Sequence, residues 1–221
     1  MGPGYRREAS RVRLRVLLAD DHDVVRQALK ALLEQHGFDV VGDAADGRTA
    51  VELASALRPD VAVLDVAMPI LNGVDAAQEI ARASPSTRVI LLTALTDAHF
   101  VSPALRAGVR GFVTKKQDIE DLDRAIQEVS KGGFYVSPGV SQAVIDAVKG
   151  APPDGAPRLS RRERQVVQLV AEGKSTKQIA ELLTISVKTA EFHRGRIMKK
   201  LNIHDTAGLV RYAIREGLIA P

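Results

Sequence analysis

Five polar residues in the first half of the chain could carry out chemistry together: Asp20, Asp21, Asp65, Thr93 and Lys115. Each lies at or beside the end of a short apolar run, and the carboxyl ends of parallel strands meet at one edge of a sheet. Three carboxylates gathered there repel one another, so a divalent cation is expected to neutralise them. Because the ligands are oxygen atoms, with no His or Cys among them, we expect Mg²⁺ rather than zinc. The chemistry that fits is transfer of a phosphoryl group onto Asp65, with Lys115 and the Thr93 hydroxyl holding the phosphoryl oxygens.

Five apolar runs predict the strands that position these residues. They are residues 15–20, 38–44, 61–65, 88–94 and 111–115. A segment with the apolar spacing of an amphipathic helix follows each run, and the weakest of these patterns is at 97–107. Continuous apolar strands that alternate with such helices are typical of a parallel sheet covered on both faces. The sequence therefore predicts an α/β fold with a doubly wound, five-stranded parallel sheet.

The chain changes character after this region. Residues 137–149 are expected to form a short helix, and 150–157, rich in Pro, Gly and Ala, to form a linker. Beyond the linker the pattern is helical to the end. Four helix starts are marked by capping residues, two of them capping boxes: Ser160 with Glu163, Ser175 with Gln178, Ser186, and Asp205. The second and third of these helices, a short one and a basic one that ends near Leu201, predict a helix-turn-helix.

The charge is distributed unevenly along the chain. Residues 158–221 contain 13 Lys or Arg against 6 Asp or Glu, whereas residues 1–157 contain 18 against 21. A basic terminal module indicates nucleic acid as a partner. The chain has no Cys, which excludes disulfides and thiol nucleophiles. Since no apolar segment reaches the length needed to span a membrane, and the start lacks a signal-peptide pattern, we expect a cytoplasmic protein.

Residues 14–135 resemble the receiver domain of bacterial two-component response regulators, through "LLADDH", "PDVAVLDVAMPILNG", "LLTA" and "AGVRGFVTKK". The resemblance implies a CheY-like domain with flavodoxin-like strand order. It also assigns roles to individual residues. Asp65 is the phosphoacceptor, and Lys115 binds the phosphoryl group. Mg²⁺ is bound by Asp20, Asp21, Asp65 and the backbone carbonyl of Ala67. The switch residues are Thr93 and Phe112.

Residues 158–221 resemble the LuxR-type DNA-binding domain of NarL/FixJ-class regulators, through "LSRRERQVV", "KSTKQIA", "ISVKTAEFHRGRIMKKL" and "LVRYAIREGLI". In the third helix, Lys188, Glu191, Phe192 and Gly195 share the side expected to face the DNA groove, and Ala190, His193, Ile197 and Leu201 share the side toward the core. Glu191 and Phe192 are the candidates for base contacts. The candidates for phosphate contacts are Lys188, Thr189, Arg194, Arg196 and Lys199, with Lys200 beside them. Gly195 offers no side chain to the groove, and on the core side Ala190 stands where a larger aliphatic residue is usual in this family.

Together these features predict a tail (1–13), a receiver domain (14–135), a connecting helix and linker (136–157) and a DNA-binding domain (158–221). The predicted function is a transcriptional response regulator, not an enzyme. Its expected partners are a histidine kinase and double-stranded DNA, and it is expected to form a homodimer when phosphorylated or on DNA. In this class the unphosphorylated receiver often masks the recognition helix.

Two alternatives remain beside this interpretation. One is a regulator of the same shape that does not depend on phosphorylation, although the complete set of polar residues argues against it. The other is an aspartyl-phosphate hydrolase, which would need a second acid near Asp65, where the chain has Val66 and Ala67 instead. Ala67 and Leu95, both apolar, flank the predicted phosphoryl site and cannot orient a water molecule, so we also expect slow self-dephosphorylation.

Overall fold

A computed structural model describes residues 13–94, 100–116, 118–149 and 159–219 of the chain. Its first half is a parallel sheet in the order β2-β1-β3-β4-β5-β6. The strands are β1 (Arg15–Ala19), β2 (Asp39–Ala44), β3 (Val61–Asp65), β4 (Arg88–Thr93), β5 (Gly111–Thr114) and β6 (Tyr135–Val136). The first five strands and their order were predicted, and β6 was not. Two residues at the sheet edge are too short a run to give a strand pattern in the sequence.

Helices cover both faces of this sheet: α1 (Asp23–Gln35), α2 (Gly47–Leu57), α3 (Gly73–Ala83), α4 (Val101–Arg106) and α5 (Ile119–Ser130). On one face, alternate strand residues such as Leu17 and Leu64 form a core with apolar residues of α2, α3 and α4. On the other face, Val16 and Val63 pack with residues of α1 and α5. Because side chains alternate across a strand, each buried strand supplies both cores, which explains its continuous apolar sequence.

The segment that leaves the sheet is tied to it by β6. Tyr135 and Ser137, at and just after this strand, both donate hydrogen bonds to the buried carboxylate of Asp121 on α5. A 3₁₀ turn (Pro138–Val140) and α6 (Ser141–Val148) follow, which confirms the predicted short helix. The predicted linker at 150–157 and the predicted tail, except Arg13, lie outside the described residues.

The C-terminal part is a four-helix unit made of α7 (Arg161–Ala171), α8 (Thr176–Leu182), α9 (Val187–Leu201) and α10 (Thr206–Arg215). The two predicted capping boxes are present at the starts of α7 and α8, and Ser186 and Asp205 cap α9 and α10. All four helices contribute to one apolar core. Within the described part of the chain, no helix is both long and apolar enough to cross a membrane.

Candidate functional site

Three charged side chains meet where β1, β3 and β5 end. Asp20 follows β1 and Asp65 closes β3, and both are buried, with 0% and 5% of their surface exposed. Lys115 follows β5, and its Nζ lies 2.6 Å from Asp20 Oδ2 and 3.0 Å from Asp65 Oδ2. The fold therefore brings these three predicted residues into direct contact, as the strand ends implied.

Burial is the largest single influence on the pKa of both Asp65 and Lys115. It raises the pKa of Asp65, and the nearby positive charge of Lys115 only partly offsets that effect. Burial alone would lower the pKa of Lys115, but the charges of Asp65 and Asp20 outweigh it and the pKa is raised. Lys115 is thus held in its charged form. One ammonium facing two buried carboxylates leaves an excess of negative charge, which suits a cation or an electrophile.

A group of potential metal ligands surrounds Asp65. Ligand atoms of Asp20, Asp21, His22 and Asp65 all lie within 4.8 Å of one another, in a search of the described residues. His22 also lies beside the carboxylates, since its Nδ1 is 2.8 Å from Asp21 Oδ1. The imidazole is largely exposed, whereas Asp20 and Asp65 are buried. The donor set fits a divalent cation bound mainly through oxygen atoms.

Thr93 and Phe112 lie on the neighbouring strands. Thr93 is fully buried at the end of β4, and its carbonyl oxygen accepts a hydrogen bond from the backbone N–H of Lys115. The ring of Phe112 is also fully buried, and its centroid is 6.4 Å from that of Phe100 and 6.0 Å from that of Phe134. The ring therefore lies inside the core, between an aromatic residue before α4 and one before β6. Leu95 lies outside the described residues.

The loop from Asp65 to α3 is tightly packed. Residues Met68, Leu71 and Asn72 are almost completely buried. Gly73 begins α3 so close to β3 that a Cβ at this position would overlap the carbonyl oxygen of Asp65. Only glycine fits here, which gives the "NG" of "PILNG" a physical reason. Ala67 lies in this loop and is partly exposed.

The side of α9 predicted to face DNA is open to solvent. Lys188, Glu191, Phe192 and Gly195 are exposed. Apart from its chain neighbours and the nearby backbone of its own helix, no described atom lies within 4 Å of a Cβ built on Gly195. On the opposite side, Ala190 and Ile197 are buried in the helical core, as predicted. The described part of the receiver therefore does not cover these four residues, in contrast to the masking that is frequent in the class.

The basic residues of α9 differ in their local contacts. Arg194 donates to the Thr206 hydroxyl at 2.8 Å. Lys200 Nζ lies 2.8 Å from the buried carboxylate of Glu163, so this lysine is held within the helical unit. Arg196 lies 3.8 Å from the same carboxylate but stays 64% exposed, which leaves it available to a phosphate. Lys188, Thr189 and Lys199 are exposed or partly exposed along the same helix.

The sequence did not predict the contacts of three polar residues, Arg164 and Gln168 of α7 and Glu172 just after it. Gln168 is a polar residue but is completely buried, as are its apolar neighbours Val167 and Leu169. Its side chain and that of Glu172 contact the backbone of the loop that follows Asp65. Arg164, on the same helix, pairs with buried Asp75 of α3 at 2.6 Å. No local pattern signals such contacts, since their partners are about 90 to 100 positions away in the chain and Gln and Glu are common on exposed helix faces.

Comparison with known proteins places the chain in a class. The family model of the response regulator receiver domain matches residues 16–127, and that of the bacterial regulatory proteins of the luxR family matches residues 157–213. The chain therefore belongs to the response regulators that combine a receiver domain with a luxR-family domain.

Individual relatives agree with this assignment. The chain is 37% identical to the transcriptional regulatory protein MctR of Rhizobium johnstonii, over 95% of this chain and 97% of that protein. It is 35% identical to LiaR of Bacillus subtilis, over 93% and 99%. Among solved structures it is similar to RcsB of Salmonella enterica serovar Typhimurium bound to promoter P1flhDC in the presence of the phosphomimetic BeF₃⁻. That match has a TM-score of 0.64 and 29% identity, over 90% of this chain and 98% of the other.

Proposed function

We propose that this response regulator is a cytoplasmic transcription factor that binds DNA and is switched by phosphorylation of Asp65 by a histidine kinase. The observation that carries the proposal is the contact of one lysine, Lys115, with two buried carboxylates, Asp20 and Asp65, beside buried Thr93. This arrangement offers a nucleophile, a fixed positive charge and a hydroxyl at one edge of the sheet. The exposed side of α9 supplies the second half of the proposal, a surface for DNA.

In the proposed reaction, an Asp65 carboxylate oxygen forms a bond to phosphorus while the bond from phosphorus to the histidine nitrogen of the kinase breaks. Lys115 stays protonated and pairs with the phosphoryl oxygens, and the Thr93 hydroxyl donates to them. Asp20, Asp21, Asp65 and the backbone carbonyl of Ala67 would hold Mg²⁺, which supplies positive charge that offsets the charge on the phosphoryl oxygens. His22 is close enough to join or orient this donor set.

The phosphoryl group then changes the receiver through Thr93 and Phe112. Pairing of the Thr93 hydroxyl with the phosphoryl group shifts the end of β4, and the ring of Phe112 responds within its aromatic neighbourhood. Such a change shifts the population of receiver surfaces available for pairing with a second copy. A homodimer would place two α9 helices on two DNA half-sites.

On DNA, Glu191 would accept a hydrogen bond from an amino group of cytosine, and Phe192 would pack against a methyl group of thymine. Lys188, Thr189, Arg194, Arg196 and Lys199 would contact phosphates, which anchors the helix without selecting a sequence. Gly195 leaves a gap on this surface. A half-site with relaxed sequence requirements is the expected consequence.

The decisive experiment compares the wild-type chain with Asp65→Asn, each with and without acetyl phosphate and Mg²⁺. Phosphoryl uptake is followed on a phosphate-affinity gel, and affinity is measured on DNA fragments selected from a random pool. We expect uptake and tighter DNA binding in the wild type only. DNA binding that is the same for both proteins under all conditions would favour a phosphorylation-independent regulator. Continuous release of phosphate from simple phosphoesters would favour the hydrolase.

A further inference from the structure

Gln168 of α7 and Glu172, the residue that follows this helix, hold the backbone of the loop that follows Asp65. Gln168 accepts hydrogen bonds from the backbone N–H of Asn72 at 3.0 Å and from its Nδ2 at 3.2 Å. Its Nε2 donates to the carbonyl oxygen of Met68 at 2.7 Å. Glu172 Oε1 accepts from the backbone N–H of Ile70 at 3.0 Å and from Gln168 Nε2 at 2.8 Å. Three backbone groups of the loop are thus satisfied by the helical domain.

The loop adopts an unusual conformation between these contacts. Ile70 has a φ of 68°, in the left-handed region that a β-branched side chain rarely enters. The N–H of Leu71 donates to the carbonyl oxygen of Pro69 at 2.7 Å, which closes a tight three-residue turn around Ile70. Such a turn persists only where its surroundings hold it. Glu172 holds the N–H of Ile70 itself, and Gln168 holds the chain on either side.

Glu172 occupies a position that would otherwise be unfavourable for a carboxylate. Burial raises its pKa, and its Oε2 has no hydrogen-bond partner within the described structure. Only Oε1 of this carboxylate forms hydrogen bonds, one with the loop at Ile70 and one with Gln168, which itself binds the loop. A glutamine would keep the accepting oxygen and remove the buried charge.

Ion pairs on the same face of α7 keep the two side chains over the loop. Arg164 contacts Asp75 at 2.6 Å, and Asp75 in turn accepts from Asn72 Nδ2 at 3.0 Å. One turn earlier, Arg161 pairs with Glu79 on α3. The contact between the domains is therefore centred on the segment that joins Asp65 to α3, away from the exposed side of α9.

We propose that Gln168 and Glu172 are positioning residues for the phosphoacceptor site, because they hold the loop of residues 66–72 in one conformation. This inference rests on the proposed function, which assigns the backbone carbonyl of Ala67, in this loop, to the cation. When α7 releases the loop, the turn at Ile70 relaxes and only a fraction of the chains keeps the cation-binding conformation. The apparent Mg²⁺ affinity falls by that fraction. By reciprocity, Mg²⁺ strengthens the contact between the domains.

The test uses the full chain with Gln168→Ala, Glu172→Ala and the conservative Glu172→Gln. Lys177→Ala, at an exposed position of α8, is the matched control. The Mg²⁺ dissociation constant is measured by calorimetry, and phosphoryl uptake from acetyl phosphate is measured over a range of Mg²⁺ concentrations. We expect both Ala variants to need about five- to tenfold more Mg²⁺, whereas Glu172→Gln and Lys177→Ala stay within about twofold of the wild type. At saturating Mg²⁺ the uptake rate of the Ala variants should return to the wild-type rate.

The outcomes separate this inference from the proposed function. A wild-type chain that takes up no phosphoryl group at any Mg²⁺ concentration overturns the proposed function. The inference alone is overturned if the wild type takes up the phosphoryl group and both Ala variants need no more Mg²⁺ than the wild type does. It is also overturned if the Ala variants need the same Mg²⁺ concentration as the wild type but react more slowly at saturating Mg²⁺. If the Ala variants do not fold, hydrogen exchange of the wild type decides. Mg²⁺ must then slow exchange at the amides of Ile70 and Asn72, and unaltered exchange refutes the proposal.

Discussion

The Asp65→Asn substitution tests the electrostatics of the acidic group most directly. Ligand atoms of Asp20, Asp21 and Asp65 lie within 4.8 Å of one another. At that separation and an effective dielectric constant of about 20, two like charges repel by roughly 3 kcal/mol. Asp20 is completely buried and acts on Asp65 with about that energy, whereas Asp21 is 31% exposed and acts more weakly because solvent screens it.

Lys115 opposes this repulsion. Its Nζ lies 3.0 Å from Asp65 Oδ2, and that separation gives an attraction of about 5 kcal/mol on the same scale. The two repulsions and the burial of the carboxylate together outweigh this attraction, in agreement with the raised pKa of Asp65. A carboxyl group whose pKa is raised on folding contributes stability that is fully present below its unfolded pKa and is lost as the pH rises through the folded pKa. Above the folded pKa, the ionised Asp65 therefore lowers the stability of the fold.

Asp65→Asn removes this charge, keeps the shape of the side chain and leaves Lys115 paired with Asp20 at 2.6 Å. We therefore expect the variant to increase the free energy of unfolding of the metal-free receiver domain by about 1–2 kcal/mol at pH 7. The assay is urea denaturation followed by circular dichroism in the presence of EDTA, with exposed Asp39→Asn as the control.

Adding Mg²⁺ to the same assay gives the complementary result. A ligand that binds only the folded state stabilises it by RT ln(1 + [L]/Kd), so the protein that binds it more tightly gains more stability. Mg²⁺ should therefore stabilise the wild type more than Asp65→Asn, and the difference between the two proteins should shrink or reverse. An Asp65→Asn chain that is less stable than the wild type in EDTA would refute the reasoning. The attraction between Lys115 and Asp65 would then exceed the sum of the carboxylate repulsions and the cost of burying Asp65.

Four further outcomes are expected. Gly195→Lys should tighten DNA binding at low salt, because the position faces open space on the exposed side of α9, and equal affinities in a fluorescence anisotropy titration would contradict that placement. The phosphorylated protein should keep its label for minutes or longer with Mg²⁺ present, since the side chain of Ala67 cannot orient a water molecule, and a half-life of seconds would show that another group does so. The chain has no Cys, so a bismaleimide can link Arg164→Cys to Asp75→Cys and hold the two domains together. Because docking leaves the predicted DNA-facing side of α9 exposed, the linked protein should bind DNA within about threefold of the unlinked one. A loss of binding would mean that the receiver obstructs the DNA. Burial alone would raise the pKa of Glu163, but contacts with Lys200 and Ser160 lower it. The wild type should therefore lose the stability that this carboxylate contributes as the pH drops below about 4. Glu163→Gln should lack this part of the pH dependence of the free energy of unfolding.

The sequence alone determined the strands and the residues that end them. Apolar runs long enough for a strand and bounded by Asp65, Thr93 and Lys115 have few other interpretations. Parallel pairing then brings those ends together, because consecutive strands connected through helices point in the same direction. The capping residues of α7 to α10 were equally readable, since a cap acts on backbone groups only two or three positions away.

Tertiary structure decided the contacts between residues that are distant in the chain. Gln168 lies about 100 positions from the loop it holds, and its burial depends on how α7 meets the receiver. His22 joins the carboxylates because the turn after β1 directs it toward Asp21, a direction that residue type does not specify. The exposure of α9 likewise follows from which face of the helical unit meets the receiver. The burial of Gln168 and the exposure of α9 depend on the packing of two domains, which hydrophobic periodicity and local propensity do not encode.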